Sequence, residues 1–246
     1  MLVSVDGNVR LTVCTPLLAG EIAGPERQDL FAELIAEAER IAREAGCRYL
    51  EATVSDGKPA HAEWGRALSA QGFTLSSEKT ALQRAAEPLS ADAALACAFE
   101  PAEAYARAEL ERLYAACLLG TLDRSDAGGI IEAPLSFAAL LPEGNMSASH
   151  AAWVARARQS AAGMLILQLT DAAAWIAFVG VAEPFRRQGI GSGLVRFGIA
   201  QAGASGRNTV RALIDVGNEP SLDLHRKAGF EMSIGTFHIY QRRLGA

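Results

Sequence analysis

Residues 179–197 read VGVAEPFRRQGIGSGLVRF. A small apolar run and a glutamate lead into Pro184, two arginines follow, and glycine then recurs at 189, 191 and 193, where a helical pattern begins. Glycine inside a helix costs roughly 1 kcal/mol relative to alanine, so its repetition at a helix start needs a reason. A helix N-terminus presents unsatisfied N–H groups and the positive end of the helix dipole. Residues without side chains let an anion reach those groups, and Arg187, Gln188 and Ser192 add donors around the same turn. The competing explanation is close packing of the helix on a strand. Spacing rejects two other phosphate loops: the Lys-Ser/Thr ending of a P-loop is absent, and Gly193 falls outside the six-position Rossmann register.

The chain around this stretch has 246 residues, half of them hydrophobic and 21% charged, with a net charge of −5. That length allows one large domain or two small ones. An acidic balance argues against nucleic acid, which calls for a basic face, and mildly suits a cationic amine substrate. Cys14, Cys47, Cys97 and Cys117 are far apart and show no metal-ligand spacing, so they read as reduced thiols and no metal is expected. No apolar run approaches the ~20 residues of a membrane span. Asp6 and Arg10 interrupt the apolar N-terminal stretch, which is therefore not read as a signal peptide. A cytoplasmic protein, monomeric or homodimeric and without a membrane or nucleic-acid partner, is the expectation.

The chain also repeats itself. Residues 25–84 and 184–241 both begin with Pro and an Arg two places on, at Arg27 and Arg186, then run helix, glycine, strand, short helix, Gly-Phe and strand. In the first copy Leu30, Leu34, Ile41 and Ala45 recur at helical spacing, with Asp29 as candidate N-cap and Gly46 as stop. In the second, Leu194, Phe197, Gly198 and Ala202 mark the equivalent face, ended by Gly203 or Gly206. LEATVS (50–55) and TVRALIDV (209–216) read as the matching strands. Residues 85–95 form a linker, followed by a helix with Tyr105, Leu110, Leu113, Tyr114, Cys117 and Leu118 on one face. Residues 123–145 read as loop with one short helix, and 151–158, 163–170 and 173–181 as an antiparallel meander. The first half carries the end of this series without most of its beginning.

The loop and a second motif together resemble the GNAT acyltransferase superfamily. Its Q/R-x-x-G-x-G/A pattern is matched by Arg186, Gly189 and Gly191, and its N-x-x-A-x-x-L-Y-x-x-x-G-F pattern by Asn218, Ser221, Leu224, His225, Gly229 and Phe230. The resemblance covers residues 96–246 and extends to 1–88 only as a degenerate partial copy. It implies an α+β fold layered α/β/α, with a mixed, mostly antiparallel sheet whose fourth and fifth strands splay apart. Residues 1–88 would form a GNAT-like domain without a CoA site, and 89–246 the catalytic domain.

By the same resemblance the cosubstrate is acetyl-CoA. Val179, Gly180 and Val181 would line its pantetheine arm, and Arg186, Arg187, Gln188, Gly189, Ile190, Gly191 and Ser192 would hold its pyrophosphate. Asn218 and Ser221 would line the same groove. A primary amine, free or in a peptide, would attack the thioester directly. The first copy lacks this equipment: Leu30 and Ala32 replace the glycines, and His61, Trp64 and Leu68 stand for Asn218, Ser221 and His225.

His225 replaces the tyrosine that protonates the departing thiolate in most members. An imidazolium is able to do so near its ordinary pKa of about 6.5. The plainer alternative is that His225 only packs beside the cofactor and water supplies the proton. No acid lies on the strand 173–181, so Asp215 is the nearest candidate base, with Glu183, Glu132 and Asp123 behind it. Trp153 and Trp175 read as sheet core rather than a substrate cage. A non-catalytic acyl-CoA binder and a scaffold without ligand are the competing functions.

Overall fold

Alternation of apolar residues marks the strands of this chain, which join in one sheet. The computed structural model describes residues 3–6, 10–14, 24–56, 61–87, 97–123, 137, 140, 141 and 150–245. The strands are β1 (Val3–Asp6), β2 (Arg10–Cys14), β3 (Tyr49–Ser55), β4 (Thr74–Ala85), β5 (Ala98–Pro101), β6 (His150–Ala157), β7 (Ser160–Leu169), β8 (Ala174–Val181), β9 (Thr209–Asp215) and β10 (Glu231–Arg243). The helices are α1 (Gly24–Glu44), α2 (His61–Ala70), α3 (Arg107–Leu118), α4 (Ile190–Ala204) and α5 (Glu219–Lys227). The strands form one ten-stranded sheet in the order β1-β2-β3-β10-β4-β9-β8-β7-β6-β5. Among the described residues only β2–β3 and β8–β9 pair in parallel.

The repeat is a structural fact. Each copy ends its long helix on a left-handed glycine, Gly46 at φ 69° and Gly206 at φ 79°. The same backbone bond closes both ends: Cys47 N–H donates to Ala42 O at 2.8 Å, and Arg207 N–H to Ala202 O at 3.0 Å. The short helices end identically, Phe73 N–H donating to Leu68 O and Phe230 N–H to His225 O, across Gly72 and Gly229. The first half is also fuller than its sequence suggests, because β1 and β2 precede α1.

The final strands of the two copies are exchanged. β4, of the first copy, pairs with β9 of the second from Lys79–Asp215 to Ala85–Thr209. β10, of the second, pairs with β3 of the first from Phe237–Ser55 to Arg243–Tyr49. β4 and β10 then pair with each other at the centre. Two hydrogen bonds record the symmetry: Val216 N–H donates to Glu78 O at 2.9 Å, and Asp56 N–H to Thr236 O at 3.1 Å. The junction proposed at 88–89 lies outside the described residues, as does most of the linker.

Side-chain alternation puts Val54, Glu78, Leu82 and Ile214 on one face of the sheet, which α1, α2, α4 and α5 cover. One apolar core there joins Phe31, Ile35, Leu50, Val54, Trp64 and Leu68, and another joins Leu82, Leu165, Ile176, Leu194, Val195 and Ile214. The opposite face carries α3, through Leu110, Leu113, Tyr114 and Cys117 against Val154, Met164, Ile166 and Phe178.

Two local expectations are corrected. Asp29 is not a cap, since α1 starts at Gly24 and runs through it. Its fully buried stripe is Phe31, Ile35, Ala38 and Ala42, with Leu34, Ile41 and Ala45 on the flank, because the apolar face is wide and its centre runs beside the residues the spacing picks out.

Candidate active site

A gap between two parallel strands organises the site. β8 and β9 pair only from Ala174–Val210 to Ile176–Ala212, so Ala177–Val181 and Leu213–Asp215 diverge. A bulge starts the divergence: Ile166 faces Phe178 and Leu167 faces Ile176, leaving Ala177 as the extra residue on β8. The corresponding pair in the first copy, β2–β3, stays in register over all five residues of β2.

At the open end of β8 the chain turns through Glu183–Phe185 into α4. Arg187 at φ 63° and Gly189 at φ 82° take the left-handed conformation, which explains one glycine outright. Gly193 N–H makes the first intrahelical bond, to Gly189 O at 3.0 Å, and no side chain caps the helix. The N–H groups of Ile190, Gly191 and Ser192 therefore lack intrahelical partners, the arrangement that binds anions. A Cβ on Gly191 would lie 3.5 Å from Leu224 Cδ2 and 3.7 Å from Val181 Cγ2, so it would fit the protein while entering the groove between β8 and α5. Gly193 is buried in α4, where the packing explanation suffices.

Other motif residues have partners within the chain. Arg186 does not offer its guanidinium to the loop: Nε donates to Val181 O at 2.9 Å, and Nη2 to Cys117 O at 3.0 Å and Leu119 O at 2.5 Å. It ties the end of α3 to the end of β8, and in doing so occupies the Val181 carbonyl expected to face pantetheine. Gly180 is required by packing, since a Cβ there would meet the Phe178 ring at 2.6 Å and Cys117 Cβ at 2.8 Å. Gln188 Nε2 donates to Pro184 O at 3.1 Å, bracing the turn. Asn218 caps α5, its Oδ1 accepting from Ser221 N–H at 3.2 Å. Val179, Arg187 and Ser192 line or flank the open end, with Arg187 exposed.

His225 is 1% exposed and lies edge-on to Phe230, ring centroids 5.1 Å apart. Its Nδ1–H donates to Ser221 O at 2.8 Å, and Nε2 is buried without a partner. Burial pushes the imidazole pKa down, so the ring is neutral at neutral pH and Nε2 carries a lone pair. The imidazolium expected as proton donor is therefore the disfavoured form. Burial likewise pushes the Cys117 thiol up to about 12, making it inert.

Among the candidate bases, Asp215 is buried at the end of β9, and its Oδ1 accepts from Gly217 N–H at 2.9 Å. Asp123 is held by Lys79, whose Nζ lies 2.6 and 2.8 Å from its two oxygens. Glu183 is exposed in the turn before α4, and Glu132 lies outside the described residues. Trp153 packs edge-on against Phe197, and Trp175 lies beside Arg211, so both belong to the sheet surroundings. Lys79 was not legible as a site residue, because only the strand exchange brings it opposite Asp215.

The model of the Acetyltransferase (GNAT) family matches residues 123–230, which span the meander, the loop and α5. Over those residues, somewhat less than half of its length, the chain is similar to that family. The GNAT fold extends over the full length in solved structures. A GCN5-related N-acetyltransferase from Kribbella flavida superimposes with TM-score 0.60 at 18% identity, covering 99% of this chain and 90% of its own. One from Sphaerobacter thermophilus gives 0.58 at 17%, covering 99% and 76%. A tandem GNAT protein from the clavulanic acid biosynthesis pathway gives 0.53 at 16%, covering 98% and 77%. No curated protein sequence matches the chain. Among the described residues no helix is long and apolar enough to cross a membrane, and no cluster of three metal-ligating side chains occurs.

Proposed function

We propose that the chain is an N-acetyltransferase that moves the acetyl group of acetyl-CoA to a primary amine by direct attack. The observation that carries this reading is the coincidence of the β8–β9 gap with the uncapped, glycine-bearing start of α4. The backbone N–H groups of Ile190, Gly191 and Ser192, with Arg187 beside them, would hold the pyrophosphate. The exposed edge of β8 around Val179 would hold the pantetheine arm as an added strand, and Asn218 and Ser221 would close the groove. Acetyl-CoA supplies the activated acyl group. The amine must first lose a proton; its nitrogen then bonds to the carbonyl carbon as the C–S bond breaks, and the departing sulfur takes up a proton.

Residues 1–88 are read as a degenerate GNAT-like half without a CoA site. The helix α1 runs straight through Arg27, whose guanidinium pairs with Glu63 at 3.0 Å, so no glycine loop is present there to receive an anion.

A non-catalytic acyl-CoA binder is the second reading, and the neutral, buried His225 favours it. Release of free thiol from acetyl-CoA, followed across a panel of amines, decides between them. Amine-dependent release is expected. Acetyl-CoA binding without release on any amine would establish the binder instead.

His225 also predicts a pH dependence of stability. Its folded pKa lies below the unfolded value, so its contribution is complete above about pH 6.5 and is lost as pH falls towards the folded pKa. The loss is about 1.4 kcal/mol per pH unit across that window. Urea unfolding at pH 7.5 and 5.0 should show wild type losing more stability than His225→Leu. Equal losses would mean that the imidazole is not held neutral.

A further inference from the structure

The stretch that leaves α3, Leu119–Asp123, is fastened at two points. Arg186 holds its start, through Cys117 O and Leu119 O, to the end of β8. Lys79 holds its far end, through both oxygens of Asp123, to β4. Lys79 lies directly opposite Asp215, the last residue of β9. Leu119–Asp123 therefore bridges the two strand ends between which β8 and β9 diverge. It does so on the α3 face, because Lys79 and Asp215 alternate with Thr80 and Ile214, whose face belongs to α4. The Lys79 and Asp123 side chains are only 12% and 19% exposed, which shields the pair from the screening that weakens surface ion pairs. Leu119 and Leu122 stand exposed on the bridging segment.

We propose that Lys79, a residue of the first copy, is a positioning residue for the acceptor amine: by holding Asp123 it fixes the Leu119–Asp123 segment as the acceptor-side wall of the second copy's cleft. This rests on the acetyl-transfer reading above. Arg186 fastens the cofactor loop together with the start of this stretch, whereas Lys79 fastens only its Asp123 end, so the Lys79 tether serves the acceptor side alone. α4 and its loop hold the donor, while the exchanged strand β4 shapes the entrance for the acceptor. Lys79 touches neither reacting atom and acts through Asp123.

The test compares the full-length wild type with Lys79→Met, Lys79→Arg and the charge-swapped pair Lys79→Asp with Asp123→Lys. Amide exchange of Thr121 and Asp123, whose N–H groups bond to Leu118 O and Thr121 Oγ1, reports the segment without requiring an acceptor. Lys79→Met is expected to speed exchange at both amides and to raise the amine KM by about tenfold, as removal of ground-state positioning does. Its acetyl-CoA Kd should stay within about twofold of wild type. Lys79→Arg and the swapped pair should restore both properties. Unchanged exchange, a KM and Kd that worsen together, or a swapped pair no better than Lys79→Met would overturn the proposal. Failure of wild type itself to bind acetyl-CoA would overturn the acetyl-transfer reading and this inference with it.

Discussion

A chain cut to residues 89–246 is expected to lose its cooperative fold. Removing the first copy takes β4 from the edge of β9 and both neighbours from β10. β9 would then end the sheet with unpaired N–H and C=O groups, and β10 would have no sheet to join. Such edges drive aggregation. Leu82, which packs in the core beneath α4 and α5, would go as well. Natural domains keep only about 5–15 kcal/mol of net stability, less than the loss of a central strand pairing and its core contacts removes. Circular dichroism melts and size-exclusion chromatography of the truncated chain should show no sharp transition and an aggregated or expanded species. A monodisperse fragment with a cooperative melt would mean that the exchanged strands are replaceable.

The second large effect concerns Gly191. The site can hold a methyl group in ordinary contact with Leu224 and Val181, so Gly191→Ala should leave the melting temperature within a few degrees of wild type. The methyl group nevertheless enters the space that a pyrophosphate would fill. Acetyl-CoA binding is expected to weaken by roughly 30–100-fold, the ~2–3 kcal/mol associated with disrupting one or two charge-assisted hydrogen bonds. Gly191→Leu should abolish it. Gly189→Ala differs in kind, because φ 82° penalises any side chain there, so that variant should lose stability along with affinity. Calorimetric titration and thermal melts of the same samples separate the two. Intact affinity in Gly191→Ala would place the ligand elsewhere.

The glycine loop, the meander and the order of elements in both copies were legible because each depends on local signals. Gly189 sits at a left-handed position, Gly46 and Gly206 end helices, and Trp153 lies in a strand whose apolar spacing marks it. The strand exchange was not legible. Thr74–Ala85 and Glu231–Arg243 have similar patterns and would fit either partner; which one each takes is decided across the sheet. Lys79 was missed for the same reason. Arg186 misled in another way: its motif position pointed to phosphate, but three nearby carbonyls take its guanidinium. His225 kept its position in the motif, yet burial decides its charge, and burial is a tertiary property. The first copy remains a built-in comparison, since α1 runs as helix through its arginine and, among the described residues, β2 and β3 stay paired.

That comparison provides the most direct measurement of the central claim, that acetyl-CoA binds at the start of α4. In 1H–15N spectra of the full chain, adding acetyl-CoA is expected to shift the amides of Arg187–Ser192 and Ala177–Val181. Those of Arg27–Ala32 in α1 should stay unchanged. Shifts centred on α1, or none at all at saturating ligand, would contradict it.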